Sequence, residues 1–331
     1  MPETSLHKIH EHAAGIDIGS ERIFVAVEGE PVKSFATFTE SYHEAIAYLT
    51  SKGITTVAME ATGVYWFALY EMLEAAGINT CVVNATYVKH LPGRKSDVVD
   101  CQWLQELHAH GLLRRCFIPD DQIRQLRAYM RVRRDHIEMA AQHVQHMHKA
   151  LEQMNIKLHI VLSQVQGTSG IQMLKAIVAG ERDPEKLLAL CHCSIQKTKA
   201  KEVRAALRGN YRTEHLFALR QAIEAWEFYQ RQIASCDQEM DRLLSAMAND
   251  KPEPPQTSAP KHSRHRQPAI DHLHDKLMRL TNGRNPAAMT GLTDATMLEV
   301  ISEVGTDMSH WKTAKHFTAW LTLAPPLHRS G

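Results

Sequence analysis

The chain has 331 residues, 44% of them hydrophobic and 23% charged, which excludes a disordered polymer and leaves room for two or three domains with real cores. No apolar run nears the roughly 20 residues that span a bilayer. The opening M-P-E-T-S-L-H-K-I-H carries no apolar signal core, so the expected location is the cytoplasm. The formal charge of +1 conceals an asymmetry: residues 1–100 hold 7 Lys/Arg against 13 Asp/Glu, and the remainder 31 against 24. An acidic head on a basic body suits a carboxylate metal site joined to a polyanion-binding surface, although an ordinary surface with uneven charge accounts for it equally well.

In chain order, A-A-G-I-D-I-G-S and R-I-F-V-A-V-E read as a strand and its hairpin partner, with a third strand at Val32–Phe38. Glu40–Lys52 is a helix ended by Gly53, and Ile54–Met59 a buried strand. Gly63–Ala76 is a helix stopped by Gly77, Ile78–Val83 a strand and Ser96–His110 a helix. Three strands, a helix, then alternating strands and helices is the order of a ribonuclease-H-like α/β fold, with a doubly wound sheet as the competing assignment.

From Asp121 to Leu158 the pattern is helical and free of glycine and proline. Arg114, Arg115, Arg124, Arg127, Arg131, Arg133 and Arg134 crowd its start. Such a run is usually a solvated helix face; beside an acidic metal site it becomes a candidate phosphate-contact surface, with Arg114, Arg115, Arg124, Arg127 and Arg131 as the nucleic-acid candidates. His143, His146 and His148 are read as surface histidines. Tyr211–Ala248 is a second long helix, with Leu216, Leu219, Ile223, Trp226, Ile233, Met240, Leu244 and Met247 on heptad a and d positions and Gln230 and Asp237 interrupting. Two such helices imply an antiparallel coiled-coil arm. The two polar seam residues serve as a register device or mark solvent-exposed ends. Asn249–Pro268 is rich in proline and charge and reads as a flexible linker. Asp271–Gly331 is helical again, with Asp294–Val304 and roughly Lys312–Leu323 as helices around Gly305, resembling a helix-hairpin-helix element. The expected division is 1–120, 121–248, 249–270 and 271–331.

Of six scattered cysteines, none forms a C-x-x-C pair, so neither a disulfide framework nor a zinc site is expected, Cys191-His192-Cys193 included. The chemistry lies in carboxylates. Asp17 sits mid-strand between two isoleucines, where a buried charge needs a metal, a hydrogen-bonded partner or water. Glu60 ends an apolar strand. Asp97 and Asp100 are three apart and share a helix face. Singly, Asp97, Glu60 and Asp100 have plainer explanations as a helix-start, a capping and a surface acid, whereas Asp17 within a strand is harder to dismiss; together, four carboxylates from two strands and one helix suit a pair of Mg²⁺ ions acting on a phosphodiester.

G-I-D-I-G-S, A-M-E-A-T-G-V-Y-W and G-R-K-S-D-V-V-D-C resemble the three acidic motifs of the bridge-RNA-guided insertion-sequence transposases, the DEDD transposases. The resemblance continues through G-T-S-G-I-Q-M-L-K-A-I-V-A-G-E-R-D-P-E-K-L, A-L-R-G-N, L-E-V-I-S-E-V-G and L-A-P-P-L-H-R-S-G. It implies a resolvase-type first domain with Asp17, Glu60, Asp97 and Asp100 as metal ligands. It further implies a serine nucleophile, matched by Ser330, a structured guide RNA, a DNA substrate, and a dimer or tetramer joined through the helical arms. The protein would associate with the nucleoid when bound to DNA. Two departures stand out. The family continues beyond the position of Gly331, so a truncated C-terminal domain is expected, and Thr290-Gly291-Leu292-Thr293 replaces the usual Pro-Gly turn. The competing readings are a metal-dependent junction nuclease without covalent chemistry and an inactive nucleic-acid-binding remnant. G-I-D-I-G-S also resembles the first phosphate loop of sugar kinases and actin-like ATPases, but the long helical arms stand where their second ATP-binding half would be.

Overall fold

Alternating apolar residues build the first half of the chain. β1 (Ala13–Ile18), β2 (Arg22–Val27) and β3 (Lys33–Ala36) follow one another antiparallel, while β4 (Thr56–Glu60) and β5 (Asn79–Val83) run parallel to β1. The sheet order is β3-β2-β1-β4-β5. The computed structural model describes residues 7–84, 97–253 and 267–323. Its two compact units are Met1–Ile118 and Pro119–Gly331.

In the first unit the strand period of two sorts side chains between two faces. Ala14, Ile16, Ile18, Val57 and Met59 pack against Tyr48 and Leu49 of α1 (Thr39–Ser51) and Leu69 and Leu73 of α2 (Trp66–Ala75). Each buried Leu or Ile contributes about 1.5–3 kcal/mol of transfer free energy. On the opposite face, Ala58, Cys81 and Val83 meet Leu104 of α3 (Asp97–Ala109). Buried His108, near the end of α3, places Nε2 2.8 Å from Thr56 Oγ1 at the start of β4. Burial first, then the charges of His10 and Arg115, push its pKa down to about 4, so this imidazole is neutral.

The second unit is helical. α4 (Asp121–Gln153) and α10 (Thr213–Asn249) lie antiparallel: Ile123 and Leu126 share a core with Met240 and Leu244, and Met147 and Leu151 one with Leu219 and Ile223. Asp120 caps α4 by accepting from Ile123 N at 2.9 Å. Asp237, an interruption in the heptad, is buried: its Oδ1 accepts from Arg133 Nε at 2.5 Å and its Oδ2 from Ala269 N at 2.9 Å. It therefore pins α4 and the chain re-entering near Ala269 to one level of α10, and a solvent-exposed end does not account for it. His143 is half-buried rather than on the surface, its ring stacked on Tyr229 with centroids 5.6 Å apart. His148 is half-buried as well, and only His146 is exposed.

The helix expected to run to Leu158 stops at Gln153, because Asn155 takes a left-handed φ of 57°. Asparagine adopts that conformation readily, and the stretch holds no glycine or proline to mark the break. Between the long helices the chain forms a lobe of short helices: α5 (Leu158–Val161), α6 (Thr168–Val178), α7 (Pro184–Ala189), α8 (Cys193–Thr198) and α9 (Ala200–Ala206). Met154, Leu174, Ile177, Leu187 and Val203 are among its fully buried residues. Cys191 packs its thiol 3.6 Å from Met173 Sδ, and His192 caps α8, which uses both residues structurally. At the other end, α11 (Leu273–Leu280) and α12 (Asp294–Val304) bury Leu277, Leu298 and Ile301 against α4 and α10. α13 (Ala314–Trp320) is shorter than its periodicity suggests, with Thr313 capping its start and Thr322 left-handed just beyond its end. Most of the proline-rich stretch 249–268 lies outside the described residues.

Candidate active site

The last registered pair between the parallel strands β1 and β4 is Ile16 with Met59, so Asp17 and Glu60 follow side by side at adjacent strand ends. Both alternate onto the face opposite the α1/α2 core, the face that α3 covers. Gly15, two residues before Asp17 on that face, explains how closely the helix approaches. A Cβ there would stand 2.2 Å from the Cys101 carbonyl oxygen and 2.4 Å from Gln105 N, so only glycine admits α3 at this distance. Asp100 lies in the first turn of α3, where the positive end of the helix dipole favours a carboxylate.

Asp17 and Asp100 are half-buried and Glu60 is buried. Thr62 Oγ1 lies 3.4 Å from Glu60 Oε1, and Thr62 N donates to Glu60 O at 2.9 Å, which turns the chain directly after the strand. Cys101 is buried among these acids and donates its thiol to Val98 O at 3.1 Å. Burial first, then the negative charge of Asp17 and, less, of Asp100, pushes the Cys101 pKa up to about 12. Both carboxylates are therefore within electrostatic reach of the one thiol that lies between sheet and helix.

Asp97 begins α3, and its spacing from Asp100 puts both on one helical face, but its side chain lies outside the described residues. Among the described residues no three Asp, Glu, His or Cys side chains are placed to grip one ion. The donor set is nonetheless all oxygen, the chemistry that hard divalent ions such as Mg²⁺ prefer. Residues 85–96 and Ser330 are also outside the described residues. Sequence reading found the acids but passed over Gly15 and Cys101, whose signals are a residue without Cβ two positions before a strand aspartate and a thiol directly after a helix aspartate.

The arginines fare unequally. Arg114 is exposed, and exposed Arg115 donates to Asn79 Oδ1 at 3.1 Å. Arg124 pairs with Asp121 at 3.4 Å. Arg127 donates Nε to Ser302 O at 3.3 Å and Nη2 to Glu303 O, holding the C-terminal carbonyls of α12, with the Glu303 carboxylate 3.2 Å away. Arg131 grips the same carboxylate at 3.0 Å. Among the described residues no helix is long and apolar enough to cross a membrane.

An α/β unit that gathers carboxylates at the ends of two parallel strands, followed by a helical unit, is the context of a sequence match: residues 14–156, which include all four expected acids, match the DEDD_Tnp_IS110 family model, described as a transposase. The protein is thus a transposase, a DNA-recombining enzyme whose class implies DNA binding. Residues 287–331 match the model described as Transposase IS116/IS110/IS902 family, and the chain belongs to that family of insertion-sequence transposases. No curated protein matches it.

Proposed function

We propose that the chain cuts and rejoins DNA through a resolvase-type, ribonuclease-H-like first unit, with Asp17, Glu60, Asp97 and Asp100 holding two Mg²⁺ ions. The observation that carries this reading is the placement of Asp17 and Glu60 at neighbouring strand ends facing the helix turn that bears Asp100. The sheet order β3-β2-β1-β4-β5, with β2 antiparallel to both its neighbours and β4 and β5 parallel to β1, supports the same assignment. Bound Mg²⁺ supplies charge stabilisation at the scissile phosphate and the leaving oxygen. The carboxylates hold that charge in place, Glu60 from a buried strand end and Asp100 from a helix start that Gly15 lets approach.

Ser330 is the proposed nucleophile. Its hydroxyl oxygen bonds to phosphorus as the bond from phosphorus to one deoxyribose oxygen breaks, and the serine proton ends on the released sugar hydroxyl. One phosphodiester replaces another, so attack by a second DNA hydroxyl reverses the step without an external energy source. A structured guide RNA selects the sites, and the antiparallel α4/α10 pair serves as a coiled-coil arm joining a dimer or tetramer. The protein works in the cytoplasm, on the nucleoid.

End-labelled DNA incubated with Mg²⁺, the cognate RNA and the protein, then run on a denaturing gel, tests this. Wild type is expected to give a protein–DNA adduct that Asp17→Ala and Ser330→Ala each abolish. Cutting without an adduct, unaffected by Ser330→Ala, would replace the covalent route with plain hydrolysis by the carboxylate site. Undiminished cutting by Asp17→Ala would refute the site itself.

A further inference from the structure

The segments G-E-R-D-P and A-L-R-G-N take no part in the carboxylate site, yet the fold brings them together. Arg182 from the first, and Arg208, Gly209 and Asn210 from the second, line one open cavity of about 610 Å³ with Asn155 and Tyr211. The backbone there is tightly specified. A Cβ at Gly209 would stand 2.3 Å from Met154 O and 2.7 Å from Ile156 Cγ1, and Asn210 N donates to Met154 O at 3.0 Å. Asn155 and Tyr211, both non-glycine, hold left-handed φ values of 57° and 46° on either side. Asparagine takes this conformation readily, but for Tyr211 it is strained backbone, which persists only where the surroundings fix it and gathers at ligand-binding sites.

The guanidinium of Arg182 is fixed as well. Its Nη1 donates to Ile177 O at 2.5 Å and to Glu181 O at 2.6 Å, and its central carbon lies 4.5 Å from the Tyr211 ring centroid. Tyr211 is anchored in turn by its hydroxyl, which donates to Leu207 O at 2.5 Å. The Nε and Nη2 edge of Arg182 makes no hydrogen bond among the described residues, and that edge is the planar fork that matches two phosphate oxygens. Neither Arg182 nor Arg208 pairs with a carboxylate among the described residues, and no acid lines the cavity. The nearby acids are otherwise engaged. Glu181 accepts from the backbone N–H groups of Arg182 and Asp183, Asp183 caps α7 and Glu185 pairs with Arg204.

We infer that this notch binds the phosphodiester backbone of a nucleic-acid strand. The Arg182 fork takes one phosphate and Arg208 supplies the second charge, while Asn155 and Asn210, which line the same cavity, add polar side chains for sugar hydroxyls or phosphate oxygens. The inference rests on the reading that the chain acts on nucleic acid, but it places a contact outside the carboxylate unit, in the lobe between the long helices.

Fluorescence anisotropy on the full chain, with labelled single-stranded DNA, single-stranded RNA and duplex DNA across a salt series, tests it. Arg208→Ala removes an exposed side chain and leaves the fold intact; Arg182→Lys keeps the charge and removes the fork. Each is expected to weaken at least one strand type about tenfold, and Arg208→Ala to lower the salt slope by about one. The strand type that loses affinity identifies the source as DNA or RNA. Arg220→Ala, exposed on α10, is the control and should change binding less than twofold. The inference is overturned if both variants bind every strand within twofold of wild type, or if wild type binds none. Asp17→Ala in the same assay, with cutting measured alongside, separates the two readings: retained cutting removes the carboxylate mechanism and leaves the notch standing.

Discussion

Substituting Gly15 by alanine would place a methyl group where the backbone of α3 already lies. Its carbon would stand 2.2 Å from the Cys101 carbonyl oxygen and 2.4 Å from Gln105 N, against an ordinary contact of 3.4 Å. Neither obstacle is the end of a flexible side chain, so helix and strand must part by about 1 Å, at an overpacking cost of about 1–3 kcal/mol. Asp100 rides on that helix and Asp17 on that strand. Catalytic constellations tolerate about 0.5 Å of displacement, and a 1 Å misplacement costs about 10²-fold in rate. Gly15→Ala is therefore expected to remain folded, with a lowered thermal midpoint, and to cut DNA about a hundredfold more slowly at saturating Mg²⁺. Cleavage rates measured well below the midpoint separate the geometric effect from unfolding. A folded variant that cuts at the wild-type rate would refute the argument that the α3–β1 approach sets the carboxylate geometry.

Two further outcomes follow from buried polar groups. Asp237→Ala removes the partner of buried Arg133 and the acceptor of Ala269 N, and should destabilise the second unit by about 3–5 kcal/mol. Hydrogen exchange in peptides of α4 and α10 reads this unit by unit, and joint replacement of Arg133 and Asp237 by apolar residues should recover most of the loss; wild-type protection in Asp237→Ala would contradict the account. His108 is the other. Its folded pKa of about 4 lies below the ordinary 6.5, so its contribution is complete above about pH 6.5 and is lost as pH falls towards about 4. That span is worth up to about 3 kcal/mol at about 1.4 kcal/mol per pH unit. Thermal midpoints recorded between pH 7.5 and 4.5 should fall less steeply for His108→Asn than for wild type, and parallel curves would exclude His108 as the titrating group.

The succession of strands and helices was legible because apolar alternation and glycine stops punctuate residues 13–83, and the helix at Asp294–Val304 matches its expected limits. The acids were legible as motifs. What escaped was whatever depends on packing between distant segments. Nothing local marks Asn155 as a left-handed break, since its conformation is held by the Met154–Gly209 approach more than fifty residues on. Asp237 looked like a flaw in a heptad until Arg133 appeared opposite it. Gly15 read as one more strand residue, because the helix that requires it begins at Asp97.

The grip of Arg127 and Arg131 on the end of α12 changes what the basic run can do thermodynamically. Two arginines share one protein carboxylate there, so together they offer DNA the charge of about one cation rather than two unless Glu303 is first displaced. Phosphate contacts set the salt dependence of DNA affinity through the counterions released, at roughly 0.9 per contact. Counting arginines along the start of α4 therefore overstates the electrostatic reach of this surface. Among the described residues of α4, exposed Arg134 has no carboxylate partner and keeps its charge for such contacts.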